Sequence, residues 1–327
     1  MNNAPFFNDI IADAPAGRAL WLTTSDDVKI RIGLWNEAGT RGTVLLFPGR
    51  TEFIEKYAHT AADLAKAGFA TVAVDWRGQG LADRLLPDPL VGHVGAFHDY
   101  QLDVQAVLGA VGALKLPQPL FLLAHSMGGA IGLRALYEKL PVASAVFTGP
   151  MFGIQMPNIQ RPFAWGISAL CRKIGLGHVM APGTSADPYV SVAPFEDNTL
   201  TTDPEMFDLM RVQLERHPEL SLSGPSLNWL FGALLETRKM SKMPAPSVPS
   251  LTFLGTNERI VEAHRIQNRM ESWNNGRLIV VPDAEHEVLM ERADLREPAT
   301  SEIIRFFQQA SPLSDVDAAP QTLPESA

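Results

Sequence analysis

The chain has 327 residues, 46% hydrophobic and 19% charged, the make-up of a folded globular protein with one large core or two modest ones. Lys and Arg number 27 against 36 Asp and Glu, a formal net charge of -9 that gives a nucleic-acid backbone no general reason to bind. The single cysteine, Cys171, excludes an internal disulfide, and no apolar run approaches the roughly 20 residues that cross a bilayer.

Residues 1–18 form an N-terminal extension without the cationic start of a secretory signal, so the expected location is cytoplasmic, at most peripheral at a membrane. Residues 19–24 and 28–35, split by the polar turn Ser25-Asp26-Asp27, predict an antiparallel hairpin at a sheet edge. The runs 43–47, 70–74, 120–123, 143–147, 250–254 and 278–281 are short, apolar and mostly not alternating, as strands covered on both faces should be. Between them 54–67, 96–114, 128–140, 262–272 and 299–309 have helical spacing, so the fold class is α/β, a mostly parallel doubly wound sheet.

That alternation stops at residues 150–245. There the chain turns rich in Met, Pro and Trp, with helical periodicity at 159–171, 204–216 and 226–241 and a stiff Pro-rich return at 242–249. The expected organisation is therefore a core of 19–149 and 246–310, an inserted helical cap at 150–245, and a Ser- and Pro-rich disordered tail at 311–327.

The predicted strand ending at Leu123 runs through Ala124 into His125-Ser126-Met127-Gly128-Gly129 and then a helix. A serine held on a tight strand-to-helix turn needs small neighbours two residues to either side, and Ala124 and Gly128 supply them. A helix N-terminus then aims its amides at the place where an oxyanion would develop. Such a serine needs a base and a carboxylate that orients the base, in the chain order serine, acid, histidine. His286, in the loop Pro282-Asp283-Ala284-Glu285-His286 after a strand, is the base. Glu258, in Gly255-Thr256-Asn257-Glu258 after the preceding strand, is the preferred acid, with Glu262 and Asp283 as rivals. Backbone N–H groups of Arg50, in Pro48-Gly49-Arg50-Thr51-Glu52, and of Met127 are the expected oxyanion donors. His125, beside the serine, is expected to pack rather than catalyse. The Arg50 side chain is expected to pair with Glu52 or to face an acidic group of the substrate.

These residues resemble the lysophospholipase and monoacylglycerol lipase group of α/β-hydrolases over most of residues 19–310. The segment from Pro48 to Glu52, with Tyr57, is similar to the group's H-G-x-x-E and later tyrosine, proline replacing histidine. The run Asp75-Trp76-Arg77-Gly78-Gln79-Gly80 is similar to its D-x-R-G-x-G loop, with Ala82 where a serine is usual, and implies a structural role. The resemblance implies an α/β-hydrolase fold with a cap and a carboxylic ester hydrolase with a Ser126–His286–Glu258 triad. It also implies small-molecule or lipid ester substrates, either lysophospholipids or monoacylglycerols, no metal or organic cofactor, and transient contact of the cap with a membrane surface. Met151, Phe152 and Trp229, among other apolar cap residues, are expected to line an acyl pocket. An aminopeptidase or amidase on the same triad, and a non-catalytic ligand-binding relative, are the alternative readings.

Overall fold

A computed structural model describes residues 1–157 and 159–310; the tail at 311–327, expected to be disordered, lies outside the described residues. Among the described residues the strands are β1 (Asn2–Ala4), β2 (Arg18–Thr23), β3 (Lys29–Trp35), β4 (Thr43–Phe47), β5 (Ala70–Asp75), β6 (Leu120–His125), β7 (Ser144–Thr148), β8 (Ser250–Gly255) and β9 (Gly276–Val281). The helices are α1 (Ala58–Lys66), α2 (Tyr100–Ala113), α3 (Ser126–Tyr137), α4 (Gln160–Lys173), α5 (Tyr189–Val192), α6 (Pro204–Arg216), α7 (Leu227–Met240), α8 (Ala263–Glu271) and α9 (Ala293–Gln309). All nine strands join one sheet in the order β1-β2-β3-β5-β4-β6-β7-β8-β9. Pairing is antiparallel from β1 through β3 to β5 and parallel from β5 to β9.

Strands β4 to β8 bury every residue, which is why their sequences do not alternate. Their side chains nonetheless alternate between two cores. Leu45 and Phe47 pack with α2, α3 and α8 through residues such as Val107, Ile131 and Ile266. Val44 and Leu46 face the opposite layer, where α1 and α9 contribute Leu64, Ile303 and Phe307. The N-terminal segment adds β1 to the sheet edge, with Asn3 opposite Leu20. Asn2-Asn3-Ala4 has no strand propensity of its own, so its pairing comes from docking onto a preformed edge.

Register determines where the loops emerge. Phe47 lies beside Ala124, His125 beside Thr148, Thr148 beside Phe253 and Gly255 beside Val281. The loops after β4, β6, β7, β8 and β9 therefore leave from one carboxyl edge, where open parallel sheets bind their ligands. Helices α4 to α7 cover that edge between β7 and β8. Within this cap Trp165 packs edge-on against Phe231 at 5.7 Å, with Arg172 over Phe231 and Arg238 over Trp165. The Pro-rich return is pinned to the core, because Arg269 donates to the Met243 and Met240 carbonyls and Trp273 Nε1 to that of Val248.

Candidate active site

Ser126 is the first residue of α3 and has φ +48°, a left-handed conformation that a non-glycine residue adopts at a cost. The turn around it is tight for identifiable reasons. A Cβ on Gly128 would lie 2.1 Å from the Phe47 carbonyl oxygen and 2.5 Å from that of Pro48, so only glycine lets α3 press against the end of β4. Ala124 is tolerated where glycine is usual because the helix residue facing it is Gly132, whose absent Cβ would stand 3.4 Å from that of Ala124.

The same close approach brings the N-terminus of α3 beside the loop after β4. The first N–H groups of a helix have no intrahelical partner, and that of Met127 is one of them. The loop itself is held by polar contacts: Trp76 Nε1 donates to Pro48 O at 3.0 Å, Gln79 Nε2 to Gly49 O at 2.8 Å and Glu52 O at 3.0 Å, and Gly49 N–H to the Glu52 carboxylate. Asp75 has a structural position, accepting from Arg31 Nε and from the N–H groups of Ile54 and Leu81, while Arg77 joins Asp103 and Asp26.

His286 and Glu258 come together as the loops after β9 and β8 converge. His286 Nδ1 lies 2.6 Å from Glu258 Oε2, and both side chains are buried. The other oxygen, Glu258 Oε1, accepts the N–H groups of Ile260 at 2.7 Å and Val261 at 2.9 Å. Burial by itself would push the imidazole down, but the Glu258 carboxylate outweighs it and holds His286 above its ordinary pKa. Glu258 is correspondingly lowered: its burial is overcome by His286 and by the two backbone donors. Of the rival acids, Glu262 pairs with Arg161 and Arg265, whereas Asp283 is exposed at the surface and contributes to the loop only through its backbone, its N–H donating to Thr256 Oγ1 and its carbonyl accepting from Asn257.

His125 is turned away from this chemistry. Its Nδ1 lies 3.0 Å from both the carbonyl and the hydroxyl oxygen of Thr148, and burial depresses its pKa to about 3, so it stays neutral. Its ring packs 4.8 Å from that of His286.

Several contributors carry no motif. Gly149, at φ +47°, leaves room for the imidazole: a Cβ there would lie 3.0 Å from His286 Nδ1. Lys56 Nζ bridges the Glu52 and Glu287 carboxylates beneath the site, with Tyr57 Oη also donating to Glu52. Glu52, His125 and Glu287 present ligand atoms within 4.8 Å of one another, but the Lys56 ammonium is already the shared ionic partner of both carboxylates, so the trio does not call for a metal ion. Glu291, fully buried, accepts from the N–H groups of Glu285 and Thr202, and the cap residue Leu200 accepts from Glu287 N–H. The histidine loop is thus tied to the cap.

Ser126, Met127, Arg50 and His286 all line one cavity of about 560 Å³, roofed mainly by apolar residues of the cap and its approaches. Met151 and Trp229 belong to its wall; Phe152 does not, packing instead on Phe147 at 5.6 Å beside a separate recess. The Arg50 side chain makes no pair with Glu52, whose carboxylate belongs to Lys56.

The model of the serine aminopeptidase S33 family matches residues 38–293. Lysophospholipase L2 of Escherichia coli (strain K12) is 29% identical over 300 residues, covering 88% of this chain and 86% of that protein. Probable lysophospholipase L2 of Haemophilus influenzae is 28% identical, covering 84% and 86%. A solved monoglyceride lipase from Saccharomyces cerevisiae, a soluble variant in complex with a substrate analogue, superposes with a TM-score of 0.72 at 18% identity, covering 94% of this chain and 100% of that one. That likeness carries the fold, which is the α/β-hydrolase fold.

Proposed function

The chain belongs to the serine aminopeptidase S33 family, and from that premise we propose that it is a carboxylic ester hydrolase of the lysophospholipase and monoacylglycerol lipase group, acting on single-chain lipid esters through an acyl-enzyme. The observation that carries the proposal is the 2.6 Å contact between His286 Nδ1 and Glu258 Oε2, made beside a cavity that also holds a serine on a strained turn. In the proposed reaction Ser126 Oγ attacks the ester carbonyl carbon as His286 Nε2 takes its proton, and the Arg50 and Met127 N–H groups receive the oxyanion. Collapse breaks the ester C–O bond, and the departing alkoxide takes the proton from His286. Water, deprotonated by the same imidazole, then attacks the acyl-enzyme and releases the fatty acid and Ser126. No step needs a metal or an organic cofactor.

A lipid substrate is supported by the apolar wall of the cavity and by α4. Ile159, Phe163, Ile167, Leu170 and Ile174 are all exposed, between 41% and 80%, at spacings that put them on one face of the helix, with Arg172 and Lys173 at its end. An apolar stripe of this kind beside cationic residues suits a lipid surface, where single-chain esters reside. An aminopeptidase, by contrast, needs an anionic anchor for the substrate amine. The carboxylates of Glu52 and Glu287 at this cavity are already paired with Lys56.

The test is labelling by a fluorophosphonate together with turnover of esters of graded acyl length. Wild type should label and favour long chains, while Ser126→Ala and His286→Ala should do neither. An unlabelled wild-type serine, or activity confined to acetyl or aminoacyl amide substrates, would overturn the reading.

A further inference from the structure

Arg50 is the arginine of the loop expected to hold the oxyanion, and it is among the residues that line the same cavity. Its guanidinium sits over the Trp229 ring at 5.3 Å, and one terminal nitrogen donates to the Ser223 carbonyl. Among the described residues no carboxylate pairs with it, and its Nε is shielded from solvent without a hydrogen-bond partner. Burial, opposed only weakly by the nearby Tyr100 hydroxyl, lowers its pKa to about 10, so it remains a cation at neutral pH. Arg50 is half-buried, and a charge drawn out of water and left without a counter-ion is costly; its presence is accounted for if a ligand supplies the counter-charge.

We propose that Arg50 selects substrates with an anionic phosphate in the head group, so that lysophospholipids are preferred to neutral monoacylglycerols. This rests on the ester-hydrolase reading above and specifies its substrate. The reach is right. The backbone nitrogen and guanidinium carbon of an arginine are separated by as many bonds as the ester carbonyl carbon and phosphorus of a 1-acyl-glycerol 3-phosphate. One residue can therefore hold the carbonyl oxygen through its N–H and the phosphate through its side chain, with the bidentate donors that phosphate favours.

Gly92 gives a second handle that leaves Arg50 itself intact. A Cβ there would lie 2.5 Å from an Arg50 terminal nitrogen, and the thing it would meet is the free end of a flexible side chain, so Gly92→Ala moves the guanidinium rather than the backbone.

The experiment compares kcat/KM for 1-palmitoyl-glycerol 3-phosphate and 1-palmitoyl-glycerol in the same detergent micelles. Alongside it, calorimetric binding is measured for the uncleavable ether analogues of both. Wild type should prefer the phosphorylated member of each pair by about 10- to 100-fold, the worth of a charge-assisted hydrogen bond. Arg50→Met and Gly92→Ala should each shrink that preference at least about tenfold. A wild type that does not distinguish the two ethers overturns the proposal, as does a preference that survives in both folded variants. If neither ester is cleaved, the hydrolase reading fails, and the ether pair still decides the role of Arg50.

Discussion

Replacing Glu258 with Gln should lower kcat/KM for a long-chain ester by about 10⁴-fold while leaving the protein folded. The size follows from how the carboxylate is held. Glu258 Oε1 accepts two backbone N–H groups, from Ile260 and Val261, and in glutamine only the carbonyl oxygen can take that place. The amide nitrogen must then face His286 Nδ1, at the position now 2.6 Å away. Nδ1 has to become an acceptor, so the ring proton moves to Nε2, and an imidazole protonated there cannot receive the proton of Ser126. An enforced wrong tautomer costs about 10⁴ in rate in a serine triad, roughly 5.4 kcal/mol of transition-state stabilisation. The Coulomb attraction lost between imidazolium and carboxylate at that separation is of the same order, about 6 kcal/mol at an effective dielectric near 20. The assay is steady-state turnover across pH, with the thermal midpoint as a control for folding. Since the base must be neutral, wild-type activity should fall as pH drops through a His286 pKa that lies above the ordinary 6.5. The residual activity of the variant should lose its acid limb at lower pH, because the carboxylate that raises His286 is gone. A loss of less than about tenfold, or an acid limb that does not move, would refute both the acid's identity and the tautomer argument.

Lys56→Met should destabilise the protein by about 3–5 kcal/mol in urea unfolding at pH 8, because it leaves Glu52 and Glu287 buried without their shared counter-charge. Glu287 already lies above the ordinary carboxylate pKa through burial, which Lys56 offsets only in part. Raised further in the variant, it binds a proton more readily folded than unfolded, so the deficit should shrink as pH falls toward 5. A deficit that grows on acidification would contradict this. Gly149→Ala places a methyl in a left-handed backbone and 3.0 Å from His286 Nδ1. It should cost about 1–2 kcal/mol of stability but on the order of 100-fold in kcat, because a small displacement of the imidazole matters more to catalysis than to folding. Phe163→Ser with Leu170→Ser should reduce sedimentation with anionic vesicles by about tenfold or more, each having been left 73% and 58% exposed in the free protein. Unchanged partition would remove α4 as the contact surface.

Much of the fold could be read from the chain because each parallel strand carries its signal locally. The run 43–47 is a strand at those bounds, and 204–216 is a helix at its bounds, because Asp203 caps it and Pro204 opens it. The triad candidates were legible for a related reason: Ser126, Glu258 and His286 each follow a recognisable strand, and the parallel register brings the strand ends to one edge. Phe152 misled because an aromatic next to Met151 on an apolar stretch reads the same whether it faces a cavity or Phe147. Strand β1 was illegible because Asn-Asn-Ala becomes a strand only against the edge it docks to.

The contributors that the chain concealed share a different property: each acts on the loop that carries His286, and all but Glu291 do so across a long sequence separation. Gly149 clears space beside the ring, Lys56 neutralises the carboxylate next to it, and Glu291 and Leu200 fix the backbone on either side. Leu200 belongs to the inserted segment, and Thr202, on the same stretch, donates to Glu291 through both its N–H and its hydroxyl. The cap is therefore more than a roof over an acyl chain. It holds the loop that carries His286, so a lipid surface that displaced the 199–202 segment would alter the placement of the imidazole as well as access to the cavity.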